Sequence, residues 1–258
     1  MSTIYKGIDI SLYQGNPNFE KVHASGVDFV MHKAGQGRLA DGSYNAPFID
    51  PKFTRNIKAA SQIGDDFYQG SYWYFMANTE EQVREEAKYY IELLKPYKYN
   101  HQLWAAVDVE DPSITTNYKT LSNHIEIFCH LVACAGFRPM VYANSYWLDH
   151  RFKAPKNVPI WEANWSAGKM SDRARMWQYS SKGAVDGISG NVDVNVALDI
   201  IGDANNDGKV DNKDVITMIR KMSGWNVPIN ESQADLNQDG YVTMKDLVKL
   251  MRKLSGRK

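Results

Sequence analysis

Residues Leu103–Glu110 read Leu-Trp-Ala-Ala-Val-Asp-Val-Glu, an apolar run that ends in two carboxylates and is broken by Asp111 and Pro112. A short apolar run closed by a turn signal reads as a buried strand. Side chains alternate along a strand, so Asp108 and Glu110 share one face, roughly 6.6 Å apart along the chain, and Val107 and Val109 share the other. Two carboxylates at the carboxyl end of a strand suit acid–base chemistry, one group giving up a proton while another stabilises developing positive charge. Charges placed there are costly unless they face a wet cleft. In (β/α) barrels that end carries the active site. A pair of solvated loop acids beside a strand is the other reading of this stretch, and the rest of the chain has to decide between them.

Positioning such a pair takes a sheet, and the chain supplies the strands in order. Apolar, β-branched and aromatic runs fall at 4–10, 29–34, 70–75, 103–110, 138–143, 159–165, 175–179 and 192–196. Helical patterns lie between the earlier ones, at 19–25, 51–63, 79–94 and 120–135, with Gly26, Gly64 and Gly136 as stops and Thr79 as a cap. Strands alternating with helices predict a parallel sheet, and this many units predict closure into a barrel. The connections 144–158 and 165–174 are too short and irregular for full helices, so the α/β barrel is expected to be incomplete. Strand ends carry Asp9, His32, Tyr72, Trp73, Tyr74, Asp108, Glu110, Tyr142, Trp161, Trp165, Trp177, Gln178, Tyr179 and Asp193. Acids at three separate strand ends among aromatics describe a sugar-cleaving cleft better than they describe packing. For any one of these aromatics, and for His32, a core position is the plainer expectation.

Composition narrows the partners. The 258 residues carry 30 basic and 30 acidic side chains, which gives no charge bias toward nucleic acid or an anionic membrane surface. No stretch reaches the roughly 18 apolar residues of a membrane span. The 15 Tyr and 7 Trp suit sugar stacking as well as a barrel core. Cys129 and Cys134 sit on one helical segment about 8 Å apart, too far for a disulfide, and are expected to be core thiols.

The stretches Gly-Ile-Asp-Ile-Ser-Leu-Tyr-Gln-Gly (7–15), Gly-Ser-Tyr-Trp-Tyr-Phe (70–75), Asp-Val-Glu (108–110) and Met-Trp-Gln-Tyr-Ser-Ser…Gly-Ile-Ser-Gly-Asn-Val-Asp-Val-Asn (176–195) resemble family 25 glycoside hydrolases, the muramidases. The resemblance covers about residues 4–200. It implies an irregular, flattened (β/α) barrel that cleaves the β-1,4 bond from N-acetylmuramic acid to N-acetylglucosamine. The acids carried over are Asp9, Asp108, Glu110 and Asp193. On this reading Glu110 is the proton donor, its pKa held up by the Asp108 carboxylate. Asp108 faces the sugar's acetamido group and orients it as an internal nucleophile, while Asp193 and Asp9 complete the polar floor. Tyr72, Trp73, Tyr74, Tyr142, Trp161 and Trp177 are the candidate substrate-binding residues. Two positions depart from the commoner pattern: Tyr74, near which many members have His, and Glu162, where an apolar residue is more usual.

The last stretch is a different object. Gly202-Asp-Ala-Asn-Asn-Asp-Gly-Lys-Val-Asp-Asn-Lys-Asp repeats 32 residues later as Ala234-Asp-Leu-Asn-Gln-Asp-Gly-Tyr-Val-Thr-Met-Lys-Asp. Oxygen donors fall at Asp203, Asn205, Asp207, Asp211 and Asp214, and at Asp235, Asn237, Asp239, Thr243 and Asp246. Lys209 and Tyr241 offer backbone carbonyls, and Gly208 and Gly240 stand at the sharp turns. This is the spacing of an EF-hand calcium loop with Asp in place of the closing Glu. Two structural Ca²⁺ ions are expected, and no cofactor for catalysis. Each loop runs into one amphipathic helix, 215–222 and 247–254. The tandem resembles a dockerin, which implies docking to the cohesin module of a scaffoldin in a cellulosome-type assembly. Lys213 and Lys245, and Arg220 and Arg252, occupy matching positions and are candidates for that contact, or else a solvated face.

The expected organisation is a catalytic barrel at 1–201 and a small all-α calcium-binding dockerin at 202–258. Both families act outside cells, so the protein is expected to be secreted and scaffold-associated, with its leader absent from this sequence. Hydrolysis of chitin oligomers and a non-catalytic glycan-binding barrel are the alternative functions.

Overall fold

The computed structural model describes residues 4–37, 47–64, 66–198, 201–205, 207, 210–237 and 241–255, the side chains of residues 99, 100 and 232 excepted. The chain divides into two compact units, residues 6–197 and residues 198–258 with 1–5.

The larger unit is a closed eight-stranded barrel. Its strands are β1 (Ile4–Ile10), β2 (Phe29–Gln36), β4 (Tyr68–Tyr74), β5 (Trp104–Asp108), β6 (Arg138–Asn144), β7 (Ile160–Ala163), β8 (Ala174–Gly183) and β9 (Val192–Leu198). They follow the order β1-β9-β8-β7-β6-β5-β4-β2, and a β1–β2 pairing closes the ring. A two-residue strand, β3 (Phe48–Ile49), pairs antiparallel to the end of β2. The strands from β1 through β2, β4, β5, β6 and β7 to β8 pair in parallel. β9 runs antiparallel to β8.

Helices α1 (Phe19–Ala24), α2 (Phe53–Ala60), α3 (Glu80–Leu94), α4 (Tyr118–Cys134) and α5 (Ser145–His150) cover the early strands. Among the described residues none lies between β7 and β8 or between β8 and β9, so the barrel is incomplete as the short connections predict. Caps set the starts: Thr79 accepts the Gln82 N–H, and Asn117 accepts the Thr120 N–H, which starts α4 two residues ahead of the apolar pattern.

Alternation along β5 divides the barrel. Ala105, Val107 and Val109 join Phe75, Val83, Tyr90, Leu121, Ile125 and Phe128 in the layer between sheet and helices. Asp108 therefore faces inward, as the period of two requires. The bottom of the barrel is plugged. A Cβ at Gly7 would lie 2.1 Å from the Phe29 ring, and one at Gly70 would lie 2.6 Å from Met31 Sδ and 2.8 Å from the Trp104 carbonyl. Only glycine leaves room for these side chains. Both cysteines are free; Cys129 is buried but Cys134 is exposed, its Sγ 3.5 Å from His130 Nε2, so the expected core placement holds for one of them.

The second unit contains α6 (Asn212–Met222), a single turn α7 (Glu231–Ala234) and α8 (Met244–Leu254). α6 and α8 begin three residues ahead of the amphipathic pattern because the loops supply their caps. Asp211 and Thr243 are N-caps, and Asp214 and Asp246 complete reciprocal capping boxes. Met218, Leu247, Leu250, Ala234 and Leu236 form a small buried core.

Candidate active site

Asp9 is the penultimate residue of β1 and Asp108 the last of β5, with Glu110 two residues beyond. Asp193 lies near the start of β9, and because β9 runs antiparallel, its start is at the same end of the barrel as the others' finish. All four open onto one cavity of about 260 Å³, with Tyr72, Tyr142, Trp161, Trp165, Gln178 and Ser181 completing its lining.

Asp9 sits deepest. Its Oδ2 accepts from Asn195 Nδ2 at 2.8 Å and from Gln178 Nε2 at 3.0 Å. These two amides face each other across the β8–β9 register, and Trp161 Nε1 donates to Asn195 Oδ1 at 2.8 Å. Asp9 and Asp193 hydrogen-bond each other, which requires a shared proton; burial, then the Asp193 charge, pushes Asp9 up to about 8. Burial raises Asp193 as well. Asp108 is raised well above the carboxylate range, first by burial and then by Glu110, and its Oδ1 has no hydrogen-bond partner among the described residues. Glu110 is raised too. Burial is the main cause, helped by Asp193 and Asp111 and opposed by the Lys33 ammonium. The expectation that the Asp108 carboxylate holds Glu110 up is therefore replaced by desolvation.

The aromatic candidates separate. Tyr72, Tyr142 and Trp161 line the cavity, with Trp161 packed edge-on against Tyr72 and Tyr142 at ring-centroid distances of 6.0 and 4.6 Å. Trp161 is almost wholly covered, so it is a wall more than a platform. Trp73 is a correction. Strand alternation turns it outward into the helix layer, where its indole donates to Glu86 at 2.9 Å. Tyr74 stands outside the lining beside Asp111, its ring under Lys33 Nζ at 4.8 Å, and burial raises its hydroxyl pKa. Trp177 also lies outside the lining, with Nε1 donating to the Asn164 carbonyl at 2.8 Å. His32 is buried, with Nε2 3.0 Å from the Gln69 amide, and burial lowers it to about 4. Glu162 points away from the cavity into a polar cluster. It accepts from Arg173 at 2.6 Å, from Ser145 at 2.7 Å and from Ser171, and Arg173 holds its pKa down.

Three contributors escape a reading based on acids and aromatics. Asn195 follows Asp193 by two residues and so shares its face. Gln178 has only its place at a strand end to mark it. Lys33 acts on the acids through its charge, which strand pattern does not reveal.

The calcium-loop candidates are partly described: Lys209 and Asp239 lie outside the described residues. In the first loop the buried Asp214 carboxylate accepts from Asn205 N at 3.0 Å and Asp211 N at 2.8 Å. In the second, Asp246 accepts from Asn237 N at 3.0 Å and Thr243 N at 2.9 Å, the same pattern 32 residues on. Asp203 accepts the Asp207 N–H at 3.0 Å. Asp235 and Tyr241 hold the first and seventh places of the second loop as Asp203 and Lys209 do of the first. Among the described residues no three His, Cys, Asp or Glu side chains converge as a ready cage. The donor set is nevertheless all hard oxygen, arranged twice around a buried closing carboxylate, which fits Ca²⁺.

Comparison with known proteins agrees with both units. Residues 8–188 match the family model of the glycosyl hydrolases family 25, and residues 201–255 that of the dockerin type I domain. An autolytic lysozyme of Clostridium acetobutylicum is 28% identical over 192 residues, 73% of this chain and 54% of that protein. Lysozyme M1 of Streptomyces globisporus is 25% identical over 215 residues, covering 74% and 66%. The modular autolysin LytC of Streptococcus pneumoniae, solved with a synthetic peptidoglycan ligand, superposes with a TM-score of 0.64 at 27% identity, covering 75% of this chain and 46% of LytC. The chain thus spans about half the length of the autolysins it matches.

Proposed function

The chain belongs to the glycosyl hydrolases of family 25 and ends in a type I dockerin domain, and we propose that it is a muramidase carried on a scaffold. Its reaction would cut the β-1,4 bond between N-acetylmuramic acid and N-acetylglucosamine in peptidoglycan. The observation that carries this reading is the convergence of Asp9, Asp108, Glu110 and Asp193 on one sugar-sized cavity with aromatic walls.

Glu110, whose pKa burial raises, gives its proton to the glycosidic oxygen as the bond from that oxygen to the anomeric carbon breaks. The sugar's acetamido oxygen bonds to the anomeric carbon in its place. Asp108, with a buried oxygen lacking a partner, accepts the acetamido N–H and so orients that group toward the anomeric carbon. Water then adds to the anomeric carbon, Glu110 takes back a proton, and the acetamido group is restored. Asp9 and Asp193 hold the polar floor beneath. Tyr72, Tyr142 and Trp161 line the sugar site; Tyr74 and Trp177 lie further out. The test is release of reducing ends from purified peptidoglycan by the wild-type protein and by Glu110→Gln. Release by the wild type alone supports the reading. Release from chitin oligomers but not from peptidoglycan moves the substrate to chitin, and equal rates for both proteins remove Glu110 from its role.

The dockerin implies calcium and a cohesin. We place two structural Ca²⁺ ions, one at Asp203, Asn205, Asp207, Lys209, Asp211 and Asp214 and one at Asp235, Asn237, Asp239, Tyr241, Thr243 and Asp246, with the functional boundary near residue 201. Bound there, each ion would neutralise the loop carboxylates. The cohesin of a scaffoldin is the proposed partner and the cell exterior the proposed location. No helix among the described residues is long and apolar enough to cross a membrane.

A further inference from the structure

One side chain ties the floor of the cavity to its outer wall. Gln178 is 3% exposed. Its Nε2 donates to Asp9 Oδ2 at 3.0 Å. Its Oε1 accepts twice, from the Tyr142 hydroxyl at 3.2 Å and from Trp165 Nε1 at 3.0 Å. A buried amide with both ends engaged is rigid, because turning it over would set donor against donor and acceptor against acceptor.

Trp165 is the opposite case. It follows β7 in a turn and is 60% exposed, with its indole N–H anchored and its ring bare. A large aromatic held in a fixed pose at the edge of a polar cavity is a ready face for an amphipathic ring. Its position decides which ring. Trp165 borders the acid cavity and also a neighbouring cavity of about 530 Å³, lined by Glu110, Tyr142, Asn144, Ala163 and Ser166 as well. Glu110 and Tyr142 border both cavities, whereas Asp9, Asp108 and Asp193 border only the first. A proton donor to a glycosidic oxygen must stand where two sugars meet. The sugar whose anomeric carbon reacts therefore faces the three aspartates, and the leaving sugar lies in the second cavity.

We propose that Trp165 is the stacking platform for the leaving-side sugar and that Gln178 is the positioning residue that holds this platform and Asp9 in one frame. The inference rests on the glycoside-hydrolase reading above.

The experiment is steady-state kinetics on soluble peptidoglycan glycan strands for the wild type, Trp165→Ala, Gln178→Glu and Gln178→Met. It is paired with tryptophan-fluorescence titration of Glu110→Gln, with and without Trp165→Ala, using a peptidoglycan tetrasaccharide. Trp165→Ala, at an exposed site, should raise KM about tenfold with kcat within about twofold, the pattern of lost uniform binding. Gln178→Glu keeps the acceptor for Tyr142 and Trp165 but sets another carboxyl against Asp9 in place of the amide donor, so kcat should fall while KM stays within about twofold. Gln178→Met loses both and should move both constants. An unchanged KM in Trp165→Ala, or identical constants for the two Gln178 variants, overturns the proposal. If the wild type cleaves no glycan, the hydrolase reading fails by itself and the titration still decides. A tetrasaccharide affinity weakened about tenfold by Trp165→Ala supports the platform, and an unchanged affinity refutes it.

Discussion

Asp9→Asn should make the barrel more stable and less active, and the gain should grow with pH. The buried carboxyl of Asp9 is pushed from 3.8 to about 8. Its folded pKa lies above the unfolded one, so the penalty is absent below pH 4 and grows as pH rises from 4 through 8. At about 1.4 kcal/mol per tenfold change in proton affinity, that displacement is on the order of 5 kcal/mol by pH 8. Asp193 shares the proton and carries part of the penalty, so about 2–3 kcal/mol is the gain expected from changing Asp9 alone. Asparagine keeps the geometry: its carbonyl can accept from Gln178 and Asn195 as Asp9 Oδ2 does, and its amide can donate to Asp193 where the shared proton stood. The assay is urea unfolding of the full chain at pH 4, 6 and 8, followed by near-ultraviolet circular dichroism, beside turnover of peptidoglycan. A variant that is less stable than the wild type at pH 8, or whose advantage is the same at every pH, would refute the argument that burial of a shared proton governs this floor.

Glu110→Gln should lower turnover by about 10²–10⁴-fold while leaving glycan affinity near that of the wild type, checked by isothermal titration. His32 and His101 push stability the other way. Burial holds them neutral at about 4 and about 3, so their contribution is full above pH 6.5 and is lost as pH falls below it. At pH 5 each costs about 2 kcal/mol, and His101→Gln should lose less urea resistance than the wild type between pH 7 and 5. Chelation of Ca²⁺ should melt the helical signal of residues 202–255 while the barrel transition stays in place, because so small a core needs the metal as a staple; circular dichroism unchanged by chelator would contradict it.

Much of this arrangement is legible in the chain because two periods are strong. Alternation in Leu-Trp-Ala-Ala-Val-Asp-Val-Glu puts Asp108 inside and Val107 outside, and the loop duplication marks the second unit by its spacing. What escapes notice depends on direction or on distance. Trp73 and Trp165 are the same residue type at strand ends. Alternation alone sends Trp73 into the helix layer, since it lies one residue from the inward Tyr72. Trp165 lies in a turn, where no period applies, and a hydrogen bond from 13 residues away fixes it. Asp193 reaches the cavity only because β9 reverses direction, which a list of alternating strands and helices does not predict. Glu110 owes its raised pKa to burial, a property of the closed barrel that no neighbouring residue announces. The helices start at Asn212 and Met244, ahead of their amphipathic patterns, because residues of the preceding loops double as caps.

The most direct measurement is the identity of the sugar at each new chain end after purified peptidoglycan is digested, reduced with borohydride and hydrolysed. Reduced muramic acid is the expected product, formed by the wild-type protein and absent with Glu110→Gln. Reduced glucosamine, or equal yields from the two proteins, would contradict it.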